Sequence, residues 1–303
     1  MKAGYAALLL SVLACSLPAS AQDKAAQSKK DDINQIGNRD VGKGMNFYSL
    51  EKEMALGKQL AEEVVRQSKM VDDPLISEYV NRVGQNLARN SDAKVPFSFQ
   101  VIENEVPNAF ALPGGYVFVN TGLIEVAEEE DELAGALAHE IAHVAARHMT
   151  RQATRSQIGA IGFASIGILL GGWPGLAVGQ GAKLAIPVGF LAFSRADESE
   201  ADYLGVQYLY AAGYDPTAIV DIFERLDALS RRQGGGGSRL LSTHPRDSDR
   251  IQKTQSEIQR ILPARDEYVV NTSDYVAMRL RVFAREAQKK PAPEEDRPTL
   301  VKH

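Results

Sequence analysis

Residues Asp131 to His148 read DELAGALAHEIAHVAARH, and within them lies Ala138-His139-Glu140-Ile141-Ala142-His143. Two histidines four positions apart on a helix lie about 40° apart around its axis and one turn along, so both imidazoles can reach one metal ion. Glu140, beside the first, can lean over the same ion and take a proton from a water there. The plain alternative is an amphipathic helix carrying two surface histidines. The run argues against it: alanine and leucine dominate, acids fill the first turn and no proline interrupts. The spacing predicts a regular, largely buried helix over the whole stretch.

The chain around it has 303 residues, 44% hydrophobic and 24% charged, enough for one sizeable core or two small ones. Its net charge of −5 is spread rather than blocked, and no basic stripe offers a surface for nucleic acid. Lys2, the apolar run Ala6 to Ala14 and the small-residue ending Pro18-Ala19-Ser20-Ala21 read as a signal peptide, 1–21, cleaved after Ala21. A rival reading takes Val12-Leu13-Ala14-Cys15 as a lipobox, with the single cysteine of the chain, Cys15, lipid-anchored. Either reading exports the protein. Cleavage after Ala21 leaves a chain without cysteine, held together by its core and its metal rather than by disulfides.

Residues 22–45 are polar and aperiodic and read as a disordered leader. The folded domain is expected over 46–285, with a Pro- and charge-rich disordered tail over 286–303. Helical spacing follows Ser49 and Asp73-Pro74, VPFSFQVI alternates like a strand, and Pro113-Gly114-Gly115 before YVFVN suggests a hairpin. The expected fold class is α+β and mainly helical, with a small sheet beside the motif helix. Ile158 to Phe193 is apolar and glycine-studded; IGAIGFASIGILLGGW falls short of the ~20 residues that span a bilayer. It reads as a buried hairpin packed near the site, or as a mobile flap that touches clients or membrane. Beyond it, SRADESEADYLGVQYLYAA is a second strong helix, and further helices start at Asp215-Pro216 and near Asp247.

A catalytic zinc usually has three protein ligands and one open position, so two histidines are too few. Glu198 and Asp202 stand four apart on that second helix: the first can complete the ligand set, the second can accept the N–H of a ligand histidine. Glu200 competes with Glu198 but lies about 200° round the helix from it, so one of the two faces the metal. His148 reads as a hydrogen-bonded structural histidine or a fourth ligand.

His139-Glu140-x-x-His143 followed by Glu198-x-x-x-Asp202 resembles the gluzincin metallopeptidases. In detail the chain is similar to the family that includes the CAAX prenyl proteases, the heat-shock membrane protease and the beta-barrel assembly-enhancing protease. The likeness also rests on Asn108-Ala109-Phe110-Ala111-Leu112-Pro113-Gly114-Gly115, Thr121-Gly122-Leu123, Ser194-Arg195 and Thr243-His244-Pro245, and runs from about Ser49 to Ile261. The resemblance implies a zincin-like fold and one Zn2+ per chain held by His139, His143 and Glu198. It makes Glu140 the base and Asp202 the partner of a ligand histidine, His139 first. Arg195, Tyr203 and His244 are equal candidates for stabilising the oxyanion. The substrate is expected to lie along an edge strand formed by Gly115, Tyr116, Val117, Phe118, Val119 and Asn120.

The implied activity is endopeptidase cleavage of unfolded or misassembled envelope proteins in the periplasm of a Gram-negative bacterium, in association with the outer membrane or its assembly machinery. The alternative is a metal-containing chaperone that rarely cuts. The many membrane helices of the prenyl proteases are not seen, so prenylated substrates are not expected. His244, between the run Gly234 to Gly237 and Pro245, sits where a loop can move. It can serve as a regulatory fourth ligand that displaces water and rests the enzyme. It can instead bind substrate, steady the oxyanion or cap the next helix.

Overall fold

The computed structural model describes residues 30–163, 193–232, 244 and 248–289. The signal segment, Gly234 to Gly237, residues 164–192 of the apolar stretch and the tail beyond Lys289 lie outside the described residues. After a 3-10 turn at Ile33–Gln35, the chain forms helices α1 (Leu50–Gln67) and α2 (Pro74–Arg89). Three strands follow: β1 (Ser98–Ile102), β2 (Ala109–Leu112) and β3 (Tyr116–Asn120). The rest is helical: α3 (Thr121–Val126), α4 (Glu130–Ala145), α5 (His148–Phe163), α6 (Arg195–Ala212), α7 (Ala218–Arg232), α8 (Ser248–Ile261) and α9 (Ser273–Lys289). The fold is α+β and mainly helical, with one small sheet.

Helix α4, the motif helix, is buried along nearly its whole length. A helix apolar all round must be covered all round, and α4 packs against α2, α6, α7 and strand β2. Short alanine side chains let those neighbours come close. Gly205 of α6 adds to this: a Cβ there would stand 3.5 Å from the backbone nitrogen of His139. The closeness brings the carboxylates of α6 to the histidines of α4. The start of α6 is fixed by Ser194 and Asp197, whose side chains bond each other's backbone N–H groups, and Gly213 at φ +95° ends it.

The sheet covers one side of α4. β2 and β3 form an antiparallel hairpin closed by Pro113-Gly114-Gly115, where φ of +78° and +92° requires glycine. Val117 and Val119 enter the main core, while Phe118 joins a smaller cluster with Leu60, Val64 and Leu112.

Four expectations are corrected. The stretch Gly115 to Asn120 is not an edge: β3 pairs in parallel with β1 and antiparallel with β2, so it is the central strand. Its Val117, Phe118 and Val119 are all buried, because both of its faces are covered. The outer side of β1 is taken by residues 69–71, with Val71 N–H donating to the Val101 carbonyl at 2.9 Å. Among the described residues the open edge is therefore β2.

The stretch Asp131 to His148 is not one helix. It breaks after Ala145, turns at Arg147, which has φ +58°, and restarts at His148. Glu53 and the Tyr48 carbonyl hold the Arg147 guanidinium in that corner.

The leader is not disordered in its described part. Arg39 and Val41 are buried, and Arg39 pairs with buried Asp92 and donates to Gln207 at 2.5 Å. Lys30 reaches Glu200, and Asn46 reaches Thr150. Residues 30–48 thus form a strap over α5 and α6. At the other end α9 runs to Lys289, so the boundary at 285 falls inside a helix.

Candidate metal centre

His139 and His143 stand one turn apart on α4, and Glu198 comes from the first turn of α6. His244 closes the group from the segment before α8. One donor atom from each of these four residues lies within 4.8 Å of the others. His139 Nε2 is 3.0 Å from His143 Nε2, 3.2 Å from His244 Nδ1 and 3.4 Å from Glu198 Oε2. Glu198 Oε1 is 2.9 Å from His244 Nδ1 and 3.6 Å from His143 Nε2. Four donors about 2.1 Å from a tetrahedral centre lie about 3.4 Å apart, so these separations match a metal polyhedron. Hydrogen bonding alone does not satisfy the group: Glu140 Oε1 is buried without a hydrogen-bond partner. The donor set fits a metal ion.

Each surrounding residue has a definite place. Asp202 Oδ1 lies 3.0 Å from His139 Nδ1, on the side away from the cluster. Glu140 has one oxygen accepting from the Ala111 N–H of the open strand at 2.9 Å, and the other 3.4 Å from His244 Nε2. Glu200 is turned away, to His148 Nε2 at 3.2 Å and to Lys30 and Arg151. His148 is not in the cluster; its Nδ1 lies 3.0 Å from His143 Nδ1. Of the three oxyanion candidates, Tyr203 donates a hydrogen bond to Asp31, Arg195 is exposed, and His244 alone stands in the cluster.

Burial and charge set the protonation of these groups. Burial works against the imidazolium of His139, but the carboxylates of Asp202 and Glu198 outweigh it and raise the group to about 9. Burial holds His143 well below the usual imidazole range and pushes the Glu140 carboxyl up, the direction that suits a base at neutral pH. Glu198 is held well below the carboxylate range: burial opposes this, and His244, His139 and His143 overcome it.

Three contacts escaped the sequence. Arg250 of α8 reaches both carboxylates of α6, with Nη1 3.0 Å from Glu198 Oε2 and Nε 2.8 Å from Asp202 Oδ2. Phe223 of α7 meets the His139 ring edge-on at 5.2 Å, and Phe193 stacks on His143 at 4.1 Å. None follows a spacing that a linear reading detects.

Among the described residues, no helix is long and apolar enough to cross a membrane. Residues 74–258 match the model of peptidase family M48. The chain is 32% identical to a putative beta-barrel assembly-enhancing protease of Vibrio cholerae serotype O1, over 92% of this chain and 57% of that protein. It is 29% identical to the beta-barrel assembly-enhancing protease of Yersinia pestis, over 78% of this chain and 49% of the relative. A mitochondrial metalloendopeptidase, OMA1, of Schizosaccharomyces pombe is 36% identical over 58% of this chain and 51% of its own length. The chain thus spans about half the length of these relatives. With a buried carboxylate beside a buried His-His-Glu-His group and a family match over most of the domain, the chain belongs to peptidase family M48.

Proposed function

We propose that this chain is an exported, periplasmic zinc endopeptidase that cleaves misfolded or stalled proteins of the cell envelope, with outer-membrane proteins as clients. The names of two relatives, beta-barrel assembly-enhancing proteases, support the client class and an association with the assembly machinery. His139, His143 and Glu198 hold one zinc, and Asp202 keeps the His139 proton on Nδ1. When bound, zinc lowers the pKa of a water towards about 7 and polarises the scissile carbonyl. Glu140 takes the proton of that water and passes it to the leaving amine. His244 stands in the fourth position and rests the enzyme until it moves.

One observation carries this reading. The Glu140 carboxylate is anchored through one oxygen to Ala111 of the open strand and aims the other, unbonded, at the cluster. Base, metal donors and strand edge therefore meet in one place. A peptide laid antiparallel on β2 would extend the sheet by main-chain pairing, which reads little side-chain identity and suits unfolded clients. The test is Glu140→Gln, which should keep its zinc and lose casein cleavage by at least about 10²-fold. Wild-type cleavage by that variant would remove Glu140 from the mechanism.

A further inference from the structure

His139 has a carboxylate behind it and His143 does not. The nitrogen of His143 that faces away from the cluster, Nδ1, meets another imidazole: His148 Nδ1 at 3.0 Å. On one continuous helix, residues five apart lie about 140° apart around the axis and do not meet. They meet here because the chain turns at Arg147 and starts α5 at His148, folding that residue back under His143. His148 is wholly buried.

The donors then fall into one order. As a ligand, His143 must leave Nε2 bare, because Nε2 faces the other donors, so its proton is on Nδ1. A proton on His143 Nδ1 can be donated to His148 Nδ1 only if that nitrogen is bare. The His148 proton is then on Nε2, which faces Glu200 Oε2 at 3.2 Å, with Asp197 Oδ1 further off at 3.8 Å. Both carboxylates are held in place, Glu200 by Lys30 at 2.6 Å and Arg151 at 3.2 Å, Asp197 by Arg155 at 2.6 Å. We propose that Glu200 and His148 form a relay that fixes the tautomer and ring orientation of His143, as Asp202 does directly for His139. This rests on the ligand role proposed above for His143. It gives Glu200, the acid that lost the ligand position to Glu198, a task one step behind the metal, and it ties the N-terminal strap, through Lys30, to the metal centre. Both are positioning residues.

The test measures zinc dissociation constants by chelator competition on the full chain, with melting of the metal-free protein alongside. His148→Leu removes the acceptor and should weaken zinc by about 10- to 100-fold. His148→Gln can accept from His143 and donate to Glu200, so it should restore affinity to within about 3-fold of wild type. A purely structural role would lower the melting temperature without this pattern in zinc affinity. In the wild-type zinc protein, ring-nitrogen NMR should show His148 protonated on Nε2 and bare at Nδ1. This arm stands even if His148→Leu fails to fold. A proton on His148 Nδ1, or wild-type affinity in a folded His148→Leu, overturns the relay. His143→Ala separates the premises: if it keeps its zinc, the ligand set itself is wrong, and the relay falls with it.

Discussion

Arg250 grips Asp202 with both prongs of its guanidinium, Nε to Oδ2 and Nη2 to Oδ1, each at 2.8 Å. Its third nitrogen lies 3.0 Å from Glu198 Oε2, so one buried cation bridges two buried carboxylates at the donor cluster. Removing it takes from both carboxylates their shared guanidinium partner, a loss of about 3–5 kcal/mol for a broken buried pair. Arg250→Lys keeps the charge but not the fork. We expect Arg250→Met to lose most of its metal and to melt well below wild type. Arg250→Lys should retain metal more weakly than wild type. Elemental analysis with thermal melts checks this, and full zinc in both variants would separate Arg250 from the site.

Asp202 Oδ1 stands 3.0 Å from His139 Nδ1 without belonging to the donor cluster, where we propose that it orients the ring. Asp202→Asn should therefore weaken zinc binding or turnover by roughly 10- to 100-fold rather than abolish it. Wild-type affinity and turnover would show that His139 needs no such partner.

Asp131, at the start of α4, titrates far from the metal. Burial, then the charges of Glu129, Asp215 and Glu132, raise its carboxyl to about 7, and its Oδ1 has no hydrogen-bond partner. The folded chain thus holds this proton more tightly than the unfolded chain, where the group titrates near 3.9. Its contribution is most favourable below about pH 4 and declines as the pH rises to about 7. Asp131→Asn removes that decline. It should raise the melting temperature by roughly 4–8 °C at pH 8, for about 2 kcal/mol, and change it little at pH 4. Equal shifts at both pH values would show that the effect is not electrostatic.

His244 Nδ1 lies between His139 and Glu198, and its Nε2 faces Glu140. On the resting role proposed above, a side chain in that place keeps both water and base from the substrate. His244→Ala should cleave casein faster than wild type at equal zinc occupancy. A residue that instead steadied the oxyanion would, on removal, slow cleavage by about 10²-fold or more. The sign of the change decides.

Legibility in the sequence followed locality. The long helices could be read because their apolar spacing and caps lie within a few residues: Ser49 before α1, Asp73-Pro74 before α2, Ser194 and Gly213 around α6. His139, Glu140, His143, Glu198 and Asp202 were legible as positions because one-turn spacings carry the geometry within each helix, and the family resemblance, rather than spacing, chose Glu198 over Glu200. What was missed is non-local. Whether β1 adds to β2 or to β3 is decided by the path of the chain, so the edge was placed on the wrong strand. Arg147 adopts a left-handed conformation that local preference assigns to glycine or asparagine, and the corner it makes was hidden within an apparently continuous helix. The strap looked disordered because polar residues such as Arg39 and Lys30 find their partners 53 and 170 positions away.

Diffraction from the zinc-loaded protein, with anomalous data on both sides of the zinc edge, tests the metal centre most directly. One peak should appear per chain, bounded by His139 Nε2, His143 Nε2 and the Glu198 carboxylate, with Glu200 turned to His148. A peak coordinated by Glu200 or His148 in place of Glu198, or no zinc peak in a protein that cleaves, would contradict it.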